Sequence, residues 1–198
     1  MTRLLVVRHG RTGYNASRTI QGQLDVPLDE VGRGQAAAVA PRLAALKPEA
    51  IVSSDLRRAA DTAAPLAELT GLPVWSDPRL RERSFGRWEG LHGDEIAERY
   101  PEEYGRWQAG KDVDGCGVEE LDEVAKRASA ALREAADQVP DGTVVVFSHG
   151  AAVRYGLAML FGWPATVPLS LGALGNCRWA ELRRDTMRGW QLRGYNLG

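Results

Sequence analysis

The run Thr143-Val144-Val145-Val146-Phe147 narrows most sharply what this chain can become. Five β-favouring residues follow one another with no polar alternation, the pattern of a strand covered on both faces. Asp141-Gly142 turns the chain into this run and Ser148-His149-Gly150 takes it out. Two shorter runs behave alike: Leu4 to Val7 ends in Arg8-His9-Gly10, and Ala50-Ile51-Val52 ends in Ser53-Ser54-Asp55. Helical spacing fills the intervals. Val31, Ala38, Val39, Leu43 and Leu46 recur over residues 30–46, and Pro48 stops that helix. A second helix is expected over 56–69 with Ser53-Ser54-Asp55 as its cap. A third covers 118–139 with Leu121, Val124, Ala128, Leu132 and Ala135 on one stripe, and a fourth runs from Gly150 to about Leu160. Val74-Trp75 and residues 177–182 and 189–192 complete the strands, while 11–29 reads as a long loop. Strands alternating with helices predict an α/β fold, a three-layer α/β/α sandwich around a mostly parallel central sheet.

At 198 residues the chain suits one domain spanning 1–198, with a cap-like insertion at about 78–117. That insertion is rich in Arg, Glu, Gly, Trp and Tyr, with short helices expected near 94–99 and 102–109. The 25 basic side chains are balanced by 26 acidic ones, so no broad positive field invites nucleic acid or an anionic membrane. The first apolar run is too short for a secretory signal, and no later run approaches the length of a membrane span. Cys116 and Cys177 lack any Cys-x-x-Cys spacing, which argues against a disulfide framework or a structural zinc site. A cytoplasmic location is the resulting expectation.

In parallel sheets ligands bind beyond the carboxyl ends of the strands. His9 and His149 share one setting, an apolar strand, one residue, then His-Gly, and both fall at that edge. Gly10 and Gly150 would let the backbone approach a ligand closely. Arg58 follows the second strand at a helix start, where free amides and a guanidinium fork suit an oxyanion. Arg8, His9, Arg58 and His149 would then surround one anion, with Arg57 on a solvated face. Glu82 lies between Arg81 and Arg83 and could donate a proton to a departing alkoxide. The neighbouring guanidiniums favour its ionised form, and burial beside a bound phosphate favours the protonated one. His92 with Asp94 and Glu95 reads as a helix start rather than a metal site, and neither a metal nor a cofactor is expected.

The segment Leu-Val-Val-Arg8-His9-Gly10-x-Thr12-x-x-Asn15 resembles the signature of the histidine phosphatase superfamily, in its phosphoglycerate-mutase-like branch. Ser53-Ser54-Asp55-Leu56-x-Arg58-Ala59-x-x-Thr62-Ala63 resembles that family's second arginine segment. Glu82 with Phe85-Gly86-x-Trp88-Glu89-Gly90 resembles its acid segment, and Ser148-His149-Gly150 its second histidine. The resemblance covers essentially the whole chain. It implies that His9 attacks phosphorus, that Arg8, Arg58 and His149 hold the phosphoryl oxygens, and that Glu82 serves as proton donor and then activates water. Asn15, Gln21 and Gly150 would contact the substrate.

The implied function is hydrolysis of a small phosphorylated metabolite through phosphohistidine. A phosphoglycerate mutase is the alternative, and a non-catalytic phosphoanion-binding module a second one. Within the family, Gln21-Gly22-Gln23-Leu24-Asp25, Gly172-Ala173-Leu174-Gly175-Asn176 and Trp190-Gln191-Leu192-x-x-Tyr195-Asn196 are similar to segments of the actinobacterial glucosyl-3-phosphoglycerate phosphatases. Arg11 stands where Glu or Gln is frequent, and an added cation there is expected to strengthen binding of an anionic substrate. A homodimer is what the resemblance implies for assembly. Trp88, Trp107, Trp163, Trp179 and Trp190 are expected to fill the core more often than to line a sugar-binding wall.

Overall fold

A computed structural model describes residues 1–164, 166–185 and 187–198. Its centre is a six-stranded sheet built from β1 (Thr2–Arg8), β2 (Ala50–Ser53), β3 (Val74–Ser76), β4 (Thr143–Ser148), β5 (Trp179–Asp185) and β6 (Gly189–Leu197), in the order β3-β2-β4-β1-β5-β6. The β3-β2-β4-β1 block is parallel, and β5 and β6 add antiparallel. The expected run 143–147 is β4, which lies between β1 and β2.

Alternation along these strands divides the core into two layers. Leu4, Val6, Val52, Val144 and Val146 pack with Leu132, Ala135, Val153 and Leu157, side chains of α6 (Leu121–Asp137) and α7 (Gly150–Phe161). Leu5, Val7, Ile51, Val145 and Phe147 pack with Val39, Leu43, Ala59, Ala63 and Leu66 on the opposite face, from α2 (Glu30–Ala44) and α3 (Arg57–Thr70). A strand whose successive side chains enter two different cores can carry no polar alternation, which accounts for the β4 sequence. Removing Phe147, fully buried, would cost about 3–5 kcal/mol.

Residues 78–118 lie over one part of this frame. They contain two short 3₁₀ turns, Pro78–Leu80 and Gly86–Trp88, and the helices α4 (Gly93–Arg99) and α5 (Pro101–Gln108). Trp88, Ile96, Val113, Cys116 and Val118 form their own apolar cluster, with Tyr104 and Trp107 packed against it. Trp88 and Trp107 rings meet edge-on at 6.2 Å.

The sequence reading differs from the structure in its details. The loop after β1 contains α1 (Gly13–Ser17), capped by Thr12, and α8 (Val167–Ser170) was also unforeseen. The expected Ser53-Ser54-Asp55 cap of α3 is not one: Leu56 holds the cap position without a side-chain bond, and Ser54 Oγ accepts from the Leu56 amide outside the helix. The helix expected over 118–139 begins only at Leu121, because residues 113–120 bend irregularly and bury Val113, Cys116 and Val118 in the cluster around Trp88. β5 and β6 extend to Asp185 and Leu197, since each supplies the other's backbone partners.

Candidate active site

Because β2, β4 and β1 are parallel neighbours, their carboxyl ends meet at one edge. Arg8 pairs in register with Ser148, and Ser53 with Phe147. His9, Ser54 and His149 are therefore the residues at which three strands leave the sheet. The three chains stay tied there, with the His9 amide donating to the Ser148 carbonyl at 3.0 Å and the Ser54 amide to the Phe147 carbonyl at 2.9 Å.

The two imidazoles lie 5.1 Å apart, centroid to centroid, and both are buried. His9 Nδ1 is 2.7 Å from the Gly10 carbonyl oxygen. A carbonyl can only accept, so Nδ1 carries the hydrogen and Nε2 keeps its lone pair. His149 Nε2 is 2.9 Å from Ser54 Oγ, and its Nδ1 is buried without a protein partner. Burial first, and then the guanidiniums of Arg58 and Arg8, hold the His9 pKa well below 6.5, with the bond to Gly10 opposing weakly. Burial, Arg58, His9 and Arg8 do the same to His149. Both rings are thus neutral near pH 7.

Arg58 is fully buried, and its Nη1 and Nη2 donate to the carbonyls of Leu24 and Gly22, each at 2.7 Å. Arg8 Nη1 donates to the Leu174 carbonyl at 2.5 Å. Burial lowers both guanidinium pKa values from the usual arginine range, opposed by the negative charge of Glu82 nearby. The Nε of each is buried without a partner. Buried cations fastened by carbonyls rather than neutralised by carboxylates are costly unless an anion completes them. With His149 Nδ1 they place three unsatisfied nitrogens around one strand edge.

Glu82 approaches from the insertion. Its Oε1 accepts from the amides of Arg83 at 2.9 Å and of Ala151 and Ala152 at 3.1 Å each. The latter two are among the first amides of α7, so the carboxyl group sits on a helix N-terminus. A Cβ on Gly150 would stand 3.7 Å from both Arg8 Nε and Glu82 Oε2, which puts that glycine on the wall of the same space.

Asn15 and Gln21 converge on Thr12. Asn15 Oδ1 accepts from the Thr12 amide at 3.1 Å and from Asn176 Nδ2 at 3.3 Å, and Gln21 Oε1 accepts from Thr12 Oγ1 at 2.8 Å. Their carbonyl ends are used in building the loop, which leaves the NH₂ ends for an anion.

Two sequence readings need correction. The close backbone approach that requires Gly10 is to Gly32: a Cβ on Gly10 would be 2.7 Å from the Gly32 carbonyl oxygen. Arg11 is committed to an ion pair with Asp29 at 2.8 Å at the start of α2, so it is not a free cation beside His9.

Other positioning residues escaped the sequence. Thr62 Oγ1 accepts from the Gly10 amide at 2.9 Å and donates to the Arg58 carbonyl at 2.6 Å, joining the two motifs. Asn176 donates to the His9 carbonyl at 2.9 Å. Arg127 gathers the backbone before and at Glu82, donating to the carbonyls of Arg79, Arg81 and Glu82 at 2.8, 2.6 and 2.9 Å. Thr62 fell inside a recognisable segment, whereas Arg127 is an arginine on an amphipathic helix with nothing local to mark it.

The glutamate and histidine at 95 and 92 do start a helix, Glu95 accepting from the His92 amide at 2.8 Å. Among the described residues no three His, Cys, Asp or Glu side chains gather as metal ligands, and no helix is long and apolar enough to cross a membrane.

This arrangement can be set beside known proteins. The model of the histidine phosphatase superfamily (branch 1) matches residues 4–198. The chain belongs to that superfamily. It is 40% identical over 189 residues to the glucosyl-3-phosphoglycerate phosphatase of Mycobacterium tuberculosis, covering 91% of this chain and 84% of the relative. A structure of mycobacterial glucosyl-3-phosphoglycerate phosphatase with VO₃ superposes with a TM-score of 0.89 at 39% identity, over 99% of each chain. Phosphoserine phosphatase of Entamoeba histolytica, in complex with 3-phosphoglyceric acid, superposes with a TM-score of 0.86 at 28% identity, over 100% of this chain and 98% of that one. The α/β/α architecture read from the sequence is the one these members share.

Proposed function

We propose that the protein hydrolyses phosphomonoesters, the reaction class of its family, with His9 as the nucleophile. The observation that carries this reading is the bond from His9 Nδ1 to the Gly10 carbonyl at 2.7 Å, which leaves Nε2 unprotonated in a pocket of buried cations. Phosphoryl transfer asks for in-line positioning and for charge stabilisation on the equatorial oxygens. Nε2 attacks phosphorus while Arg8, Arg58 and His149 meet those oxygens through the nitrogens that have no protein partner. The P–O bond to the leaving group breaks, and Glu82, which takes up a proton when the phosphate is bound beside it, passes that proton to the leaving oxygen. Ionised Glu82 then takes a proton from the water that attacks phosphohistidine, freeing inorganic phosphate and regenerating neutral His9. Asn15, Gln21 and Gly150 complete the wall around the substrate.

The substrate class is a small phosphorylated metabolite. Glucosyl-3-phosphoglycerate is the finer candidate, supported by the mycobacterial relatives. The test is phosphate release from that ester by wild type and by His9→Ala, together with acid quenching of wild type to recover an acid-labile phosphoprotein. Equal activity of the two proteins, or a stable phosphoserine in place of phosphohistidine, would remove His9 from the role. Conversion of 3-phosphoglycerate to 2-phosphoglycerate without net phosphate release would instead establish the mutase.

A cytoplasmic location and a homodimer complete the proposal. The edge strand β3 is the place for a second copy, since Trp75 on it and Leu69 on α3 are each 60% exposed. Sedimentation of wild type and Trp75→Glu tests that contact.

A further inference from the structure

A cavity of about 440 Å³ opens between α5, α6, α7 and α8, within the range of about 300–1,000 Å³ usual for small-molecule sites. Arg83, Lys111 and Arg154 line it together with Trp107 and Tyr155, and no carboxylate belongs to its wall among the described residues. Arg83 is nearly fully buried, its Nε donating to the Glu119 carbonyl at 2.7 Å and its Nη2 only 3.5 Å from Asp112. Arg154 stacks its guanidinium 5.2 Å above the Tyr155 ring, and its Nε is buried without a partner. Stacking fixes the plane of the fork and leaves its donor edge for a planar anion.

The cavity shares α7 and the Glu82–Arg83 segment with the phosphoryl site. Arg154 follows Gly150 by four positions on α7, which is about one turn and roughly 6 Å along the helix axis on the same face. Gly150 itself faces Arg8 and Glu82. Arg83, in the cavity wall, is the chain neighbour of Glu82. Arg8 and Arg154 also both act on the phenol of Tyr195, which places them near one side chain. A phosphoryl group held between Arg8 and Glu82 would therefore have Arg154 about one helical turn away.

We infer that this cavity is a second anion subsite, in which Arg154, supported by Lys111 and Arg83, pairs with a carboxylate on the leaving group. The enzyme would thereby select phosphorylated hydroxy acids over neutral phosphate esters of the same size. The inference rests on the phosphomonoesterase reading for the place of the phosphoryl group, and nothing in the phosphoryl-binding residues themselves supplies this selection.

Two ligands isolate the carboxylate: 3-phosphoglycerate and glycerol 3-phosphate differ only by carboxylate against hydroxymethyl. Their dissociation constants are to be measured calorimetrically on His9→Ala, which removes turnover. At least a tenfold preference for 3-phosphoglycerate is expected. Adding Arg154→Met should reduce it to threefold or less while glycerol 3-phosphate binding moves by less than threefold. Arg154→Lys should keep part of the preference, and Lys111→Met, at an exposed site, should erode it without disturbing the fold. An absent preference in His9→Ala, its survival in Arg154→Met, or an equal weakening of both ligands overturns the subsite. Phosphate release by wild type reports separately on the hydrolase reading. If the preference behaves as stated and no ester is hydrolysed, that reading fails and the subsite stands; if esters are hydrolysed and the preference ignores residue 154, the subsite alone fails.

Discussion

Arg127 Nη2 donates to the backbone carbonyl of Glu82 at 2.9 Å, so a residue on α6 fixes the segment that carries the acid. The same guanidinium pairs with Glu119 at 2.6 Å, and Glu119 in turn accepts from the Ser84 amide at 3.0 Å. Glu82 is thus held on both sides, by its backbone through Arg127 and by its carboxylate through the start of α7. Truncation leaves several carbonyls and one largely buried carboxylate unpaired. Arg127→Met should therefore cost about 2–4 kcal/mol in urea unfolding. If Arg127 acts by placing Glu82, kcat should fall at least tenfold with KM changed by less than threefold, and Arg127→Lys should recover part of kcat. A fall in stability with kcat intact would make the residue merely structural.

Glu82 as proton donor predicts a dependence on the leaving group. An alkoxide needs a proton to depart, whereas p-nitrophenolate does not. Glu82→Gln keeps the size and one acceptor oxygen toward Ala151 and Ala152. It should lower kcat/KM for an alkyl phosphate roughly 10²–10⁴-fold and for p-nitrophenyl phosphate much less. Phosphoenzyme should build up with the aryl ester, because the water then lacks its base. Equal losses on the two esters would assign Glu82 to binding alone.

The strand edge was legible because it is written locally. Apolar runs without alternation identify β1, β2 and β4, and each is followed directly by a polar residue of the candidate site, His9, Ser54 or His149. Parallel pairing then brings His9, Ser54 and His149 together with no further information. What stayed hidden depends on distant partners. Arg127 finds the Glu82 segment only across the fold, Arg11 is removed from the site by Asp29, and the Gly10 side of His9 is shaped by Gly32. The onset of α6 was misjudged for the same reason, since Val118 is drawn into the insertion's core before helical spacing can take effect. The cavity cations could not be grouped at all, because Arg83, Lys111 and Arg154 come from three separate elements.

The Gly10 and Gly32 backbones give a test of packing as distinct from chemistry. A methyl group at residue 10 would meet the Gly32 carbonyl oxygen at 2.7 Å, a backbone atom that cannot swing aside. Gly10→Ala should destabilise by about 1–3 kcal/mol through overpacking and displace His9 enough to lower kcat. Gly34→Ala is its control, in α2 with nothing within 4 Å of the added methyl. That change should raise stability by roughly 0.5–1 kcal/mol through helix propensity, with activity unaltered. Thermal unfolding of the two variants decides it, and destabilisation by both would refute the packing account.

Two neutral imidazoles buried side by side set how the fold responds to acid. In the native state His9 and His149 titrate well below 6.5, whereas in the unfolded chain they titrate near that value. On acidification the unfolded chain therefore takes up protons first. The stability held in these rings is complete above about pH 6.5, is lost as the pH falls below it, and stops falling only beneath the native pKa values. Each histidine contributes a slope approaching about 1.4 kcal/mol per pH unit, so the pair approaches about 3. Asp29, Asp55 and Glu181, whose pKa values the fold lowers, add their own losses only as the pH drops through the carboxylate range. The interval between pH 6.5 and 5 consequently belongs to the histidines. Urea unfolding across it should show the steep slope in wild type and about half of it in His149→Gln. An inhibitory oxyanion such as vanadate, by lending a negative charge to Arg8, Arg58 and the two rings, should raise the native histidine pKa values and flatten the slope. A slope that is the same in wild type and variant would remove His149 from this account, and a flat profile in both would mean that His9 is protonated in the fold and could not be the nucleophile.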